Sequence, residues 1–305
     1  MRSYAYYEHL SPKTRALNKV RRLLQWGPLE RLLRRFTQGA QPLSLRARLI
    51  PPEYLYRAGS WREARLNGML CRLDLSDTVG HSAYFGLADH GADRFLRSIA
   101  PTDIVVDIGA NIGLRAMAFA KAARNGRVIA FEPHPVSFAR LKAHAEANQL
   151  HHLVPVRLGI GNARSSARLY EVVGTNPGMN RIISDPEADS RFPSQEIEID
   201  TLDRALAAQG VMHVTHIKID VEGYEMEVLR GSEAVLLRDR PALFIELDDD
   251  NLREQGASAR ELVEWLSGRG YRVHAAEDEA PLRSDLTGCH LDIIAERLPQ
   301  GSAMP

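Results

Sequence analysis

The chain has 305 residues, of which 44% are hydrophobic and 26% charged, proportions typical of a globular protein with a sizeable core. Its two cysteines, Cys71 and Cys289, are too few for a disulfide framework or a cysteine-built zinc site, and they suit a reducing compartment. No apolar run reaches the roughly 18 residues needed to span a bilayer, and the N-terminus lacks the build of a signal peptide. We therefore expect a cytoplasmic protein.

Charge is distributed unevenly along the chain, although the net charge is zero. Residues 1–50 contain 11 Lys and Arg against 2 Asp and Glu, so this segment carries +9 and the remainder carries −9. Leucines alternate with arginines at 13–36 on either side of Gly27-Pro28, which predicts two short amphipathic helices. We expect this basic arm to dock on the body or a partner subunit, or to contact an anionic lipid or glycan surface.

From Asp103 onward, β-branched runs alternate with helical stretches. Strands are predicted at 104–109, 128–133, 153–161, 168–173, 196–200, 215–223, 242–247, 271–276 and 290–297, and helices at 136–148, 224–238 and 258–269. This alternation predicts an α/β fold with a mostly parallel sheet and helices on both faces, whose ligands bind beyond the carboxyl ends of the strands. We divide the sequence into a mainly helical N-terminal extension (1–79), an α/β domain (80–297) and a loose tail (298–305).

The segment DIGANIG, residues 107–113, forms a predicted turn between the first of these strands and a helix. A dinucleotide site requires the pattern G-x-G-x-x-G, but Asn111 and Leu114 stand where the second and third glycines belong. A tight turn led by an acid suits a cofactor that has positive charge and no phosphate, such as S-adenosylmethionine (SAM). Glu132 ends the next strand, where a carboxylate can accept hydrogen bonds from both ribose hydroxyls.

The segment HIKIDVEG places ionisable residues at every second position. In a strand they share one face: His216, Lys218, Asp220 and Glu222. Burial of several such groups is costly unless they are paired, and the charges gather at the end of the strand where an active site belongs. Glu246 ends the next core strand and is expected to lie close by. A buried carboxylate, Asp220 or Glu222, can take the proton of an acceptor hydroxyl.

Two other interpretations of these residues stay open. Lys218 and Glu246 can form an ion pair between neighbouring strands, while Glu222 caps the helix that follows. Alternatively, Asp220, Glu222 and Glu246 can supply three oxygen ligands for a divalent cation. Nothing in their spacing requires a cation, so we predict no metal site.

Acceptor-binding residues are predicted mainly in a polar loop at 174–194. Asn176 and Asn180 can hydrogen-bond a sugar-like acceptor, or they can be turn residues beside Pro177-Gly178. His134 and Tyr84 are further candidates, although a single histidine is more often an ordinary surface or core residue.

Five segments together resemble the FkbM family of SAM-dependent methyltransferases: DIVVDIGANIGLRAMAFA, VIAFEPHPVSFARLKAHAEAN, TLD, IKIDVEGYEMEVLRG and PALFIEL. The resemblance covers roughly residues 80–297. It implies the class I methyltransferase fold, a Rossmann-like seven-stranded sheet whose last strand is antiparallel. It also implies methyl transfer from SAM to a hydroxyl of a sugar, a lipid-linked glycan or a natural product.

The resemblance implies roles for individual residues as well. Around SAM it places Asp107, Gly109, Asn111 and Gly113 at the methionine part, Glu132 at the ribose, and Gly161 and Asn162 near the adenine. We also predict that Pro133 and Asp220 contact the cofactor. Relatives carry a Tyr-Glu pair before the first core strand, where this chain offers only Asp89 and Asp93.

These observations predict a SAM-dependent O-methyltransferase with a small-molecule, glycan or glycolipid acceptor. The alternatives are a methyltransferase-like module that binds SAM without turnover and an NAD(P)-dependent oxidoreductase, against which the missing glycines argue. Nucleic acid is not an expected partner because the core of the protein is acidic, whereas the basic arm suits peripheral contact with a membrane.

Overall fold

The computed structural model describes residues 11–41, 44–87, 92–171, 179–183 and 191–297. The chain forms two compact units. The first comprises residues 1–89 and 171–180, and the second comprises residues 90–170 and 181–305. In the part of the chain that the structure describes, no helix is long and apolar enough to cross a bilayer.

The first unit contains helices α1 (Pro12–Leu23), α2 (Gly27–Thr37) and α3 (Thr78–Phe85), and strands β1 (Trp61–Leu66) and β2 (Met69–Asp74). The two helices predicted for the arm are confirmed, and each has a proline in its first turn. Strands β1 and β2 form an antiparallel hairpin, which the sequence analysis did not predict. The signal for it is Asn67-Gly68, where both residues have positive φ, as a two-residue hairpin turn of type I′ requires.

The second unit contains the remaining strands. They are β3 (Ile104–Ile108), β4 (Arg127–Phe131), β5 (Leu153–Val156), β6 (Gly159–Ile160), β7 (Ser165–Tyr170), β8 (Arg181–Ile182), β9 (Ser194–Asp200), β10 (His216–Ile219), β11 (Ala242–Asp248), β12 (Tyr271–Ala275) and β13 (His290–Arg297). Seven of them form the central sheet, in the order β12-β13-β11-β10-β3-β4-β5. The last strand, β13, is antiparallel to both of its neighbours, and the other pairings are parallel. The predicted class I methyltransferase fold is confirmed.

Helices connect these strands. They are α4 (Asp93–Ser98), α5 (Leu114–Ala122), α6 (Pro135–Ala147), α7 (Leu202–Ala208), α8 (Glu225–Arg230), α9 (Glu233–Asp239), α10 (Asp249–Glu254) and α11 (Ala259–Ser267). The chain runs outward from β3 through β4 to β5 and later returns to β10 on the other side of β3, so strand order reverses between β3 and β10. Ligands of open α/β sheets bind at the carboxyl ends of the strands at such a reversal.

Three predicted elements differ from the structure. The strand predicted at 153–161 is split into β5 and β6, which belong to different sheets. The helix predicted at 224–238 is split at Gly231, where the carbonyl oxygen of Gly161 approaches so closely that an added Cβ would lie 1.8 Å from it. The strand predicted at 215–223 ends at Ile219. Its last residues turn instead, because Glu222 and Gly223 both have positive φ, at 55° and 103°.

The core of the second unit is the central sheet itself. Val105, Val106, Ile217 and Leu243 are fully buried, as expected for parallel strands that are covered on both faces. Against this apolar background, the buried charges of Asp107 and Lys218 need a specific explanation.

Candidate active site

The turn after β3 packs its backbone directly on the end of β10. Gly109 has a φ of 78°, and a Cβ added to it would lie 1.8 Å from the carbonyl oxygen of Asp220. The amides of Gly109 and Ala110 both donate to the carbonyl of Phe131 at 3.0 Å, which ties the turn to β4. Gly113 also has positive φ, and Leu141 fills the space that a side chain would need. Both glycines are therefore required by close approach and by conformation.

Glu132 lies beside this turn, at the end of β4, with its side chain buried. The amide of Asn111 donates to its Oε2 and the amide of His134 to its Oε1, each at 2.8 Å. Burial raises the pKa of Glu132 to about 7, although both hydrogen bonds act to lower it. The two amides fix the carboxylate in one orientation, and each oxygen can still accept a further hydrogen bond.

Lys218 is the centre of a buried ionic network. It lies opposite Asp107 in the parallel pairing of β10 with β3. Its Nζ is 3.3 Å from Oδ1 of Asp107 and 3.0 Å from Oδ2 of Asp220, and it donates to the carbonyl of Gly109 at 3.2 Å. Burial alone would lower the pKa of Lys218, but the two carboxylates raise it above its usual range. Lys218 thus pairs with Asp107 and Asp220. The alternative in which it forms an ion pair with Glu246 is therefore wrong.

A side-chain hydrogen bond joins Asp220 and Glu246. Burial raises the pKa of Glu246 to about 10, together with the charge of Asp220 and a hydrogen bond to it. Burial would also raise the pKa of Asp220, but the ammonium of Lys218 and the hydrogen bond from Glu246 hold it below its usual range. At neutral pH, Glu246 is therefore a neutral acid that donates to an ionised Asp220.

Glu222 completes a cluster of carboxyl groups with Asp220 and Glu246, whose oxygens lie within 4.8 Å of one another. Its pKa is raised to about 8, first by burial and then by the charges of Asp220 and Glu225, while Arg181 lowers it. The side-chain Nδ2 of Asn251 donates to its Oε2 at 3.0 Å. Glu222 is thus the carboxyl group of the cluster that titrates nearest to physiological pH.

Sequence analysis missed Glu225 and Asn251. The Oε1 of Glu225 accepts from the amides of Val221 and Gly223, at 3.2 and 3.1 Å, and so holds the turn that presents Glu222. The helix that follows has no side-chain cap, so the alternative in which Glu222 caps it is wrong. An acid in the first turn of a helix, as Glu225 is, is a local signal for contact with nearby backbone amides. Asn251 lies too far along the chain for any local pattern to connect it with Glu222.

Other predicted residues lie around this edge of the second unit. Gly161 follows β6, and an added Cβ would be 3.0 Å from the ring of Tyr224, which directly follows the Glu222–Gly223 turn. Asn162 is exposed and follows Gly161. Pro133 is half-buried next to Glu132, and His134 is buried at the start of α6.

The predicted acceptor residues are more dispersed. Tyr84 belongs to the first unit, where it is buried with its ring edge-on to Phe85 and the guanidinium of Arg34 5.1 Å from its centre. Asn180 is half-buried and belongs to the same unit. Asn176 lies outside the described residues, as do Asp89 and the tail at 298–305.

The residues beside the turn fit SAM. The Oδ1 of Asn111 is buried and has no hydrogen-bond partner among the described residues. It can therefore accept a hydrogen bond from a ligand group such as an ammonium. Glu132 offers free acceptor positions for ribose hydroxyls. The acids Asp107, Glu132 and Asp220 favour a cation and oppose a pyrophosphate.

Comparison with known proteins agrees with this chemistry. The chain is 29% identical over 264 residues to the 31-O-demethyl-FK506 methyltransferase FkbM of Streptomyces tacrolimicus, covering 75% of this chain and 97% of the relative. It is 28% identical over 129 residues to the hexuronic acid methyltransferase AglP of Haloferax volcanii, covering 42% and 49%. It is 24% identical to the AMB antimetabolite synthetase AmbE of Pseudomonas aeruginosa, covering 68% of this chain but only 12% of that protein.

Among solved structures, the FkbM methyltransferase of Methylobacillus flagellatus KT is 16% identical, with a TM-score of 0.41, and the match covers 64% of this chain and 44% of that one. The methyltransferase FkbM domain matches residues 107–273, more than half of the chain, from the turn after β3 into β12. The chain belongs to the FkbM family of SAM-dependent methyltransferases.

Proposed function

We propose that this methyltransferase transfers the methyl group of SAM to a hydroxyl of a sugar, glycolipid or secondary metabolite. The observation that carries the proposal is the carboxyl cluster of Asp220, Glu222 and Glu246 at the carboxyl edge of the sheet. A hydroxyl is a poor nucleophile until its proton is taken, and a carboxyl group with a raised pKa is suited to accept it. Two relatives support the acceptor class, since one is named for methylation at an oxygen and the other for a hexuronic acid.

The residues beside the turn are proposed to hold the cofactor. Glu132 accepts hydrogen bonds from the ribose hydroxyls, and the Oδ1 of Asn111 accepts from the amino group. Gly109 and Gly113 let the turn beside the methionine part pack against the carbonyl of Asp220 and against Leu141. When bound, SAM supplies an electrophilic methyl group on a sulfonium.

We assign the role of general base to Glu222. Asp220 is a weaker base, because the ammonium of Lys218 and the proton of Glu246 stabilise its charge. Glu246 is already protonated at neutral pH and serves to orient Asp220. Glu222, held by the side chain of Asn251, would accept the proton of the acceptor hydroxyl as its oxygen gains the methyl group and S-adenosylhomocysteine leaves.

Calorimetric titration with S-adenosylhomocysteine tests the cofactor site. The Glu132→Ala variant loses a charge-assisted acceptor, so its affinity should fall roughly 10- to 100-fold. Glu146→Ala is the matched control, because Glu146 is an exposed glutamate of the next helix and should bind as the wild type does. Equal affinity of wild type and Glu132→Ala would overturn the proposed ribose contact, and NADH should not bind.

Turnover tests the acceptor class. Wild type should convert SAM to S-adenosylhomocysteine when panels of sugars, glycolipids and hydroxylated metabolites are supplied, and the product should carry a methyl ether. Methylation at nitrogen or carbon would contradict the proposal. Tight binding of S-adenosylhomocysteine without turnover on any panel would favour the alternative of a non-catalytic binding module.

A further inference from the structure

Helix α1 is oriented with its polar side towards the protein and its apolar side towards solvent. On the inner side, Asn18 is buried and donates to the hydroxyl of Tyr54 at 2.9 Å, and Arg21 donates to the carbonyl of Arg48 at 3.0 Å. On the outer side, Leu17, Val20 and Leu23 are exposed, Leu23 by 68%. An amphipathic helix of a globular protein normally buries its apolar stripe, so this one needs another explanation.

The exposed apolar residues continue into α2. Trp26, between the two helices, is 65% exposed, and Leu32 within α2 is 63% exposed. We call the whole set the apolar arm face: Leu17, Val20, Leu23, Trp26, Leu29, Leu32 and Phe36. Seven large apolar side chains exposed within 20 residues greatly exceed the scattered exposure of an ordinary surface.

The charges on these helices identify what covers the apolar arm face. The described part of residues 11–52 contains one acidic residue, Glu30, and its buried carboxylate is paired with Arg62 at 2.6 Å. The exposed cations of α1 and α2 include Lys13, Lys19, Arg22, Arg31 and Arg35. A second copy of this arm would bring the same charge and be repelled, whereas an anionic surface complements it.

We propose that the apolar arm face lies on the surface of an anionic lipid membrane. Leucine and phenylalanine side chains on one side of a helix with lysine and arginine flanking them are the composition of helices that lie in the bilayer interface. Tryptophan is enriched at the level of the lipid headgroups. The cations contact acidic headgroups, while Leu23, Trp26 and Leu32 enter the acyl boundary.

Vesicle flotation of the full chain tests this proposal. The protein should bind vesicles of phosphatidylcholine and phosphatidylglycerol at least about tenfold more tightly than vesicles of phosphatidylcholine alone, and salt should weaken the binding. The double variant Leu23→Ser/Trp26→Ser should bind at least about tenfold more weakly. The matched control is Met212→Ser/Leu237→Ser, which removes two exposed apolar side chains of the second unit and should bind as the wild type does.

Folding of each variant is checked by thermal unfolding and by titration with S-adenosylhomocysteine, both of which should be unchanged. Three outcomes would overturn the proposal: no binding of wild type to either vesicle, equal binding to both vesicles, or equal loss in both double variants. A wild-type dimer that the Leu23→Ser/Trp26→Ser change dissociates would overturn it as well, because a second copy would then cover the face.

Discussion

Replacing Lys218 with methionine should destabilise the second unit strongly, because the ammonium is the counter-ion of a buried carboxylate. Its Nζ lies 3.3 Å from Asp107 and 3.0 Å from Asp220. Asp107 is fully buried at the centre of the sheet, so it cannot turn towards water when the ammonium is lost. Methionine has nearly the same length as lysine, so the change removes charge while it preserves most of the packing.

Removal of one partner from a buried ion pair costs about 3–5 kcal/mol, and we expect a loss of this size for Lys218→Met. Lys142→Met is the matched control, because Lys142 forms an exposed pair with Glu146 at 3.8 Å. Exposed pairs of this kind contribute at most about 0.5 kcal/mol. Adding Asp107→Asn to Lys218→Met removes the uncompensated charge and should recover at least about 1 kcal/mol.

The free energies of unfolding are measured by urea denaturation at pH 5.5 and pH 8. Burial raises the pKa of Asp107 in the folded state above its value in the unfolded state, although Lys218 lowers it, so loss of the ammonium raises it further. A carboxyl group shifted in this direction costs stability as the pH rises, so the deficit of Lys218→Met should be larger at pH 8. If Lys218→Met costs no more than Lys142→Met, or if Asp107→Asn deepens the loss, the ion-pair interpretation is wrong.

Three further predictions concern the site. Gly109→Ala should abolish binding of S-adenosylhomocysteine and lower the unfolding temperature, because its Cβ would lie 1.8 Å from the carbonyl oxygen of Asp220. Gly210→Ala is the control: Gly210 has a φ of 66°, and an added Cβ would have no atom within 4 Å, so this variant measures the cost of positive φ alone. The wild-type methyl-transfer rate should rise about tenfold per pH unit below the pKa of Glu222, about 8, and should level off above it. The Glu222→Gln variant should lose methyl transfer while it keeps its affinity for S-adenosylhomocysteine. A flat pH profile would rule Glu222 out as the base. Glu246→Gln keeps a donor towards Asp220, so its rate at pH 7 should stay within about threefold of wild type, and a loss as large as that of Glu222→Gln would place Glu246 in the proton transfer instead.

The fold and the glycine turn after β3 were predictable because their signals are local. Alternating β-branched and helical segments specify an α/β sheet wherever they occur, and the turn at 107–113 requires glycine for its own backbone conformation. The break at Gly27-Pro28 and the end of β4 just before Glu132 are likewise readable within a few residues. In each case a signal within a few residues indicates the element, although distant residues, Asp220 and Leu141, also require Gly109 and Gly113 to lack side chains.

The chemistry of the carboxyl cluster was decided by tertiary structure. The alternation of ionisable residues at every second position predicted that Glu222 lies on the same strand face as Lys218. The strand ends at Ile219 instead, and Glu225 and Asn251 then set the orientation of Glu222. The partners of a buried charge are chosen by which strands lie side by side, and its pKa depends on how deeply they bury it. The outward direction of the apolar side of α1 was also undetermined, because a helical pattern shows that two faces differ and only packing decides which of them meets solvent.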